Sequence, residues 1–197
     1  MLASQMTQRL FLTRSFEEAI HTILDDTIAL LGAEYGNIQL AIGDELVIAA
    51  QRGLSADFLK TFRRVKKEYG SACGRALRLG ETVIIRDVEN DPQFAAFRPD
   101  AKRAGFRSVQ STPFITKDGN VLGMVSTHFA HAHEPTPLEM QTLKEYSIIA
   151  AEHLNRLLGD VPLATKAERM SEELYARTLE PQGLAAEPRS PGISTSL

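Results

Sequence analysis

A single cysteine, Cys73, stands in a chain of 197 residues. With no second thiol there is no internal disulfide, so the fold must hold without covalent staples, and the chain reads as a protein of a reducing compartment. No apolar run approaches the roughly 18 residues that a membrane-spanning helix needs. The opening Met1-Leu2-Ala3-Ser4-Gln5-Met6 lacks the basic-then-apolar order of a secretory leader. The expected setting is therefore the cytoplasm, without membrane contact. Excess positive charge is missing too: a formal net charge of -3 gives no general attraction to nucleic acid. The local exception, Arg63-Arg64-Val65-Lys66-Lys67, reads as a solvated helix end rather than a phosphate-binding patch. No internal repeat, catalytic-triad motif, phosphate loop or paired-cysteine zinc site is visible.

What is present is the balance of an ordinary globular domain, with 43% hydrophobic and 24% charged residues. The length suffices for one domain with a real core, plus a tail. Ser15-Phe16-Glu17-Glu18 is a capping box, and Phe16, Ile20, Ile23, Leu24, Ile28 and Leu31 recur at helical spacing up to Gly32. Leu2 to Thr13 reads as a shorter helix leading into it. Ile38, Leu40 and Ile42 then alternate with Asn37, Gln39 and Ala41, the pattern of a half-buried strand. Gly43-Asp44 turns the chain into a second strand over Leu46 to Ala50. Ser55 to Arg64 reads as a short helix, Gly70 to Gly80 as a loop opening another, and Thr82 to Ile85 as a short strand. Asp87 to Gly105 is irregular. Lys117-Asp118-Gly119-Asn120 joins strands over Ser108–Thr116 and Val121–Phe129, a strong hairpin signal. Thr136-Pro137-Leu138-Glu139 is a second capping box, with proline at the first helical position, and its helix runs to Leu158 before Gly159.

The expected architecture is α+β: an antiparallel sheet with the terminal helices on one face and short helices and loops on the other. Residues 1–14 are the lead-in and 15–159 the domain. Residues 160–197 are a tail, with a weak helix over 166–179 and disorder from Pro181 onward, where too little apolar surface is available to offset ordering entropy.

The segment Ser108-Val109-Gln110-Ser111-Thr112-Pro113-Phe114, its Asp118-Gly119 turn and the following Val121-Leu122-Gly123-Met124 strand resemble a GAF domain. Gly70 to Gly80, Asp87-Val88 and Asp91-Pro92 fit the same pattern, and the resemblance covers about Ser15 to Leu158. It implies a cleft between the sheet and the Asp87–Gly105 region, which family members use for cyclic nucleotides, tetrapyrroles, haem, small metabolites or nothing. Fold alone does not choose among these, so the cofactor is unknown.

Three readings of the chemistry compete. Ser71 is placed to cap a helix whose first turn holds Cys73, where free amides would favour a thiolate; the plainer reading is a small apolar residue beside the cleft. Free methionine-R-sulfoxide reductase, an enzyme of similar fold, resembles the chain around Ala72-Cys73-Gly74, but one thiol cannot complete its intramolecular cycle. Covalent bilin attachment is disfavoured because neither neighbour of Cys73 is histidine. The asparagine, lysine, phenylalanine, aspartate and glutamate signature of cyclic-nucleotide GAF domains is not recognisable. His128, His131, His133 and Glu134 have metal-ligand character, but a strand end and surface loop, with His128 and His131 pointing in different directions, account for them, and no metal site is expected.

The sequence therefore leads to a non-enzymatic sensory module that binds a small molecule and signals through its terminal helices to a partner protein, in a two-component or related system. The alternatives are a GAF-fold enzyme such as free methionine-R-sulfoxide reductase, disfavoured by the single cysteine, and a ligand-free dimerisation module. Cys73, Phe94, Phe97, Gln110, Ser111 and Thr127 are the expected cleft residues, because buried serine or glutamine on a sheet face demands partners. Tyr146, Ile148 and Ile149, with Ala29 and Leu30, leave apolar surface for a parallel homodimer built on the terminal helices.

Overall fold

The computed structural model of the chain describes residues 2–179. The disorder expected from Pro181 onward lies outside these residues. Helix α1 (Leu2–Leu12) leads into α2 (Phe16–Leu31), which Ser15 caps through its side chain at the Glu18 amide and Gly32 ends in the left-handed conformation. Strands β1 (Tyr35–Ile42) and β2 (Glu45–Arg52) form the first hairpin. There follow α3 (Ala56–Thr61), β3 (Arg64–Lys66), α4 (Ala72–Leu79) and β4 (Val83–Ile85). The second hairpin is β5 (Ser108–Ile115) with β6 (Val121–Phe129). Helix α6 (Pro137–Leu158) carries the full capping box of Thr136 and Glu139.

The six strands make one antiparallel sheet in the order β3-β2-β1-β6-β5-β4, curled as a half-barrel. Helices α1, α2 and α6 cover one face; α3, α4 and the segment before β5 cover the other. Because residues alternate across a strand, β1 sends Ile38 and Leu40 into the helical core while Asn37 and Gln39 take the opposite side. A bulge between Ile38 and Gln39 puts an extra residue in β2 at this point, and bulges re-aim side chains.

Three expectations need correction. Asp87–Gly105 is not irregular: Asp91 caps a 3-10 helix over Pro92–Phe97, and α5 (Arg98–Ala104) continues from it. Proline at the start of each supplies the fixed φ that a first turn accepts. The β1 strand is not half-buried, since Asn37 and Gln39 are as inaccessible as Ile38. The tail helix is not weak: α7 (Leu163–Leu179) buries Ala167, Met170, Leu174 and Tyr175.

Part of the apolar surplus on the terminal helices is covered within the chain. Met6 and Leu10 of α1 enter the core, Leu30 and Ile149 are half-buried against it, and Tyr146 is buried with its hydroxyl donating to Asp26 at 2.9 Å. Arg9 pairs with the same carboxylate at 2.8 Å, fastening α1 to α2 and α6. Ile148 stays 53% exposed beside Phe11 at 56%, with Leu12 next in sequence at 78%. Among the described residues, no helix is long and apolar enough to cross a membrane.

Candidate functional site

Between the sheet and its short-helix cover lies a cavity of about 20 Å³, room for roughly one water molecule. Its floor is the sheet: Asn37 and Gln39 from β1, Val109 and Ser111 from β5, Ser126 and His128 from β6. Its roof is Phe58 and Phe62 of α3 and its cap, Ser71, Ala72 and Cys73 at the start of α4, Phe94, and Phe106. The floor alternates with the helical core on the same strands, so register alone brings these polar groups together.

Three floor residues carry buried atoms without a hydrogen-bond partner: Asn37 Oδ1, Gln39 Oε1 and His128 Nδ1. Buried polar atoms are normally paired, and each exception needs a reason. Other polar groups on the wall are satisfied locally. Ser111 and Ser126 pair at 2.7 Å across β5 and β6, and Ser71 Oγ caps Gly74 while lying 3.4 Å from Cys73 Sγ. No charged side chain lines the cavity among the described residues.

Burial governs the titratable groups. It holds the His128 imidazole down to about 3, so the ring is neutral, edge-on to Phe106 and Phe58 at centroid distances of 4.7 and 5.3 Å. Burial also raises the Cys73 thiol above its usual range, outweighing Ser71, the amides of Gly74 and Cys73, and Gln39. The thiolate suggested by the helix start is therefore not favoured. Beside the cavity, Arg75 of α4 meets Asp91 at 2.7 Å, tying α4 to the 3-10 helix that carries Phe94. Burial raises the Asp91 carboxyl, but Arg75 and the amides of Phe94 and Gln93 hold it below the ordinary value.

Of the six residues expected at the cleft, Cys73, Phe94 and Ser111 line the cavity. Phe97 sits one layer out, against Phe94, Phe62 and Tyr69. Gln110 and Thr127 do not line it: they take the alternate face of β5 and β6, where Thr127 donates to Gln110 at 2.9 Å and Gln110 to Thr112. Phe106, expected with Phe94 and Phe97 as an apolar lid, is in the roof; the residues not foreseen are Asn37, Gln39, Ser126 and His128, along with the roof rings Phe58 and Phe62. Of the metal-like set His128, His131, His133 and Glu134, His128 is taken into the cavity wall, while the rings of His131 and His133 lie 6.0 Å apart. His133 stacks on Phe129 and His131 lies 3.9 Å from Glu34. Among the described residues, no group of three or more such side chains is placed to hold a metal ion. The basic run is taken up within the fold: Arg64 holds Glu168 and Glu45, Lys67 holds Asp44, and Arg63 lies over the Tyr175 ring.

The sequence profile described as GAF domain matches residues 13–154. No curated protein matches the chain. Among solved structures, the GAF domain of a phosphoenolpyruvate-protein phosphotransferase from Coxiella burnetii superposes with a TM-score of 0.65 at 18% identity, covering 79% of this chain and 91% of that one. Free methionine-R-sulfoxide reductase from Neisseria meningitidis, solved with its substrate, gives 0.63 at 19% identity over 84% and 89%. The chromophore-binding domain of a bacteriophytochrome from R. palustris gives 0.61 at 13% identity over 79% and 61%. At these identities the likeness is one of fold.

Proposed function

Because this chain belongs to the GAF domain family, we propose that it is a sensory and regulatory module whose cavity receives a small, uncharged molecule and whose helices carry the response to a partner protein, in a two-component or related system. The observation that carries this reading is the convergence of Asn37 Oδ1, Gln39 Oε1 and His128 Nδ1, all without partners, on one wall. An amide offers a donor and an acceptor, and a neutral imidazole one of each, so the floor can read a hydrogen-bonding ligand while the roof rings cover its apolar part. A charged ligand would lose its hydration with no opposite charge to meet it. That argues against phosphate-bearing nucleotides and against a zwitterionic amino acid. A single thiol with no second cysteine in the sequence, and raised by burial, supports a non-enzymatic role.

Mass spectrometry of the freshly purified chain, native and then denatured, tests the reading. The expected result is an adduct retained in the native spectrum and lost on denaturation, with Asn37→Leu abolishing it. Wild-type protein with no adduct, and no shift of His128 resonances on titration with a neutral metabolite set, would sink the proposal. A covalent adduct, or visible absorbance, would point to a bilin instead.

The reading extends to a parallel homodimer on the terminal helices, supported by Ile148, Phe11 and Leu12 exposed on one side. Light scattering across micromolar concentrations should give a dimer mass that Ile148→Glu converts to monomer. A monomeric mass in both proteins contradicts it.

A further inference from the structure

Helix α7 lies outside the residues matched by the family profile, and it reaches the cavity roof. Its first half is anchored: Ala167 and Met170 enter the helical core, and Lys166 and Arg169 pair with Glu17 at 2.8 and 2.6 Å. Glu168 holds Arg64 through both carboxylate oxygens, at 2.6 and 2.8 Å. Its second half instead joins the cavity-side core through Leu174 and Tyr175. There the Tyr175 hydroxyl donates to the Leu59 carbonyl at 2.6 Å, and the Arg63 guanidinium lies 4.7 Å from the centre of its ring.

The Leu59 carbonyl belongs to the last turn of α3, a helix of 6 residues. Carbonyls at a helix end have no intrahelical partner, and so short a helix is marginal by itself. Tyr175 supplies the missing donor. The same helix sets Phe58 and its cap Phe62 over the cavity. Other walls are held more firmly. The floor strands are hydrogen-bonded on both sides, and α4 is tied to the 3-10 helix by Arg75–Asp91. The Gly70 backbone also packs so closely on Gln93 that a Cβ there would lie 1.9 Å from its carbonyl oxygen. Otherwise α3 holds to its surroundings through the apolar packing of Phe58, Phe62 and the buried Leu59, with one exposed side-chain bond, from Thr61 to Asp100 at 3.3 Å. A cavity of about 20 Å³ admits nothing larger than water unless a wall yields, and α3 is the wall least bound.

We propose that the Tyr175 end of α7 latches the α3 wall, so that filling the cavity and releasing that end of α7 are one coupled event. The inference rests on the cavity being the ligand site. Coupling of this kind is reciprocal: whatever frees α7 opens the cavity, and whatever occupies the cavity frees α7.

Cys73, the sole thiol, lies on the wall and reports its opening. In the full chain, Tyr175→Phe is expected to speed alkylation of Cys73 by iodoacetamide about tenfold, the equivalent of one lost hydrogen bond. Tyr146→Phe loses a bond at least as strong, to the Asp26 carboxylate in the helical layer, and should leave the rate near that of wild type. An unchanged rate in Tyr175→Phe, or an equal rise in both variants, overturns the latch. Conversely, Ser126→Leu, which crowds the cavity, should raise hydrogen exchange in residues 174–179 while that of α6 stays unchanged. Unchanged exchange in 174–179 of the folded variant overturns the coupling. Neither measurement uses a ligand, so the latch can fail while the ligand reading stands, and native mass spectrometry judges the latter separately.

Discussion

Gly123→Ala is expected to cost about 3 kcal/mol or more, at or beyond the top of the usual range for a single substitution. Gly123 sits in β6 opposite Leu40 of β1, at φ 155°, where a Cβ would lie 2.1 Å from the Gln39 carbonyl oxygen and 2.9 Å from Leu40 Cα. Both atoms are backbone of the neighbouring strand, so no side chain can swing aside. The strands must part, and β1 is central to the sheet and bears two of the three unpartnered floor groups. Against a total stability of roughly 5–15 kcal/mol, such a loss would leave a substantial unfolded fraction. Urea denaturation followed by circular dichroism measures it. A midpoint close to that of wild type would contradict the strand spacing described for β1 and β6.

The second large effect is a dependence on acid. Burial holds His128 at about 3, against 6.5 for an ordinary imidazole. Above the ordinary value both folded and unfolded chains carry a neutral ring, and His128 adds no pH dependence. Between the two values the unfolded chain binds a proton that the folded chain cannot, so stability falls as pH falls. The slope approaches about 1.4 kcal/mol per pH unit once well below the unfolded value. Denaturation midpoints from pH 7 to pH 4 should therefore decline more steeply in wild type than in His128→Asn, which has no titrating group at that position. Parallel curves would mean that the ring charges in place, and would remove the neutral character assigned to the cavity.

The sequence told the elements more clearly than it told the site. Ser15 with Glu18, Thr136 with Glu139, and Asp118-Gly119 act locally, through side chains that satisfy backbone groups a few residues away, and the helices and hairpin formed where these signals stand. The cavity depends on which face of a strand turns which way, and that is decided at long range. Asn37 and Gln39 alternate with Ile38 and Leu40 in the same way whether their side meets water or a polar cavity. Gln110 and Ser111 are both buried polar residues on β5, and only the placement of α4 and α6 on opposite faces shows that Ser111 alone meets the cavity. Tyr175 was invisible for another reason: the tail has few apolar residues, and the far end of its helix meets α3 through a phenol that finds a carbonyl more than a hundred positions away in sequence. The family resemblance pointed to the side of the sheet on which the cavity lies, without choosing its residues.

The cavity joins a floor of hydrogen-bonded strands to a roof of phenylalanine rings on short helices, and that division separates two properties evolution can adjust independently. On the proposed ligand reading, amides and an imidazole fixed by strand register form the template, so a change there would alter which molecule is recognised. Rings on α3 and around the 3-10 helix can shift without breaking the sheet, so on the same reading a change there would alter how long a guest stays, since dwell time is where most affinity differences reside. Relatives of this chain could diverge in response time while keeping one ligand, or exchange ligands while keeping one response time.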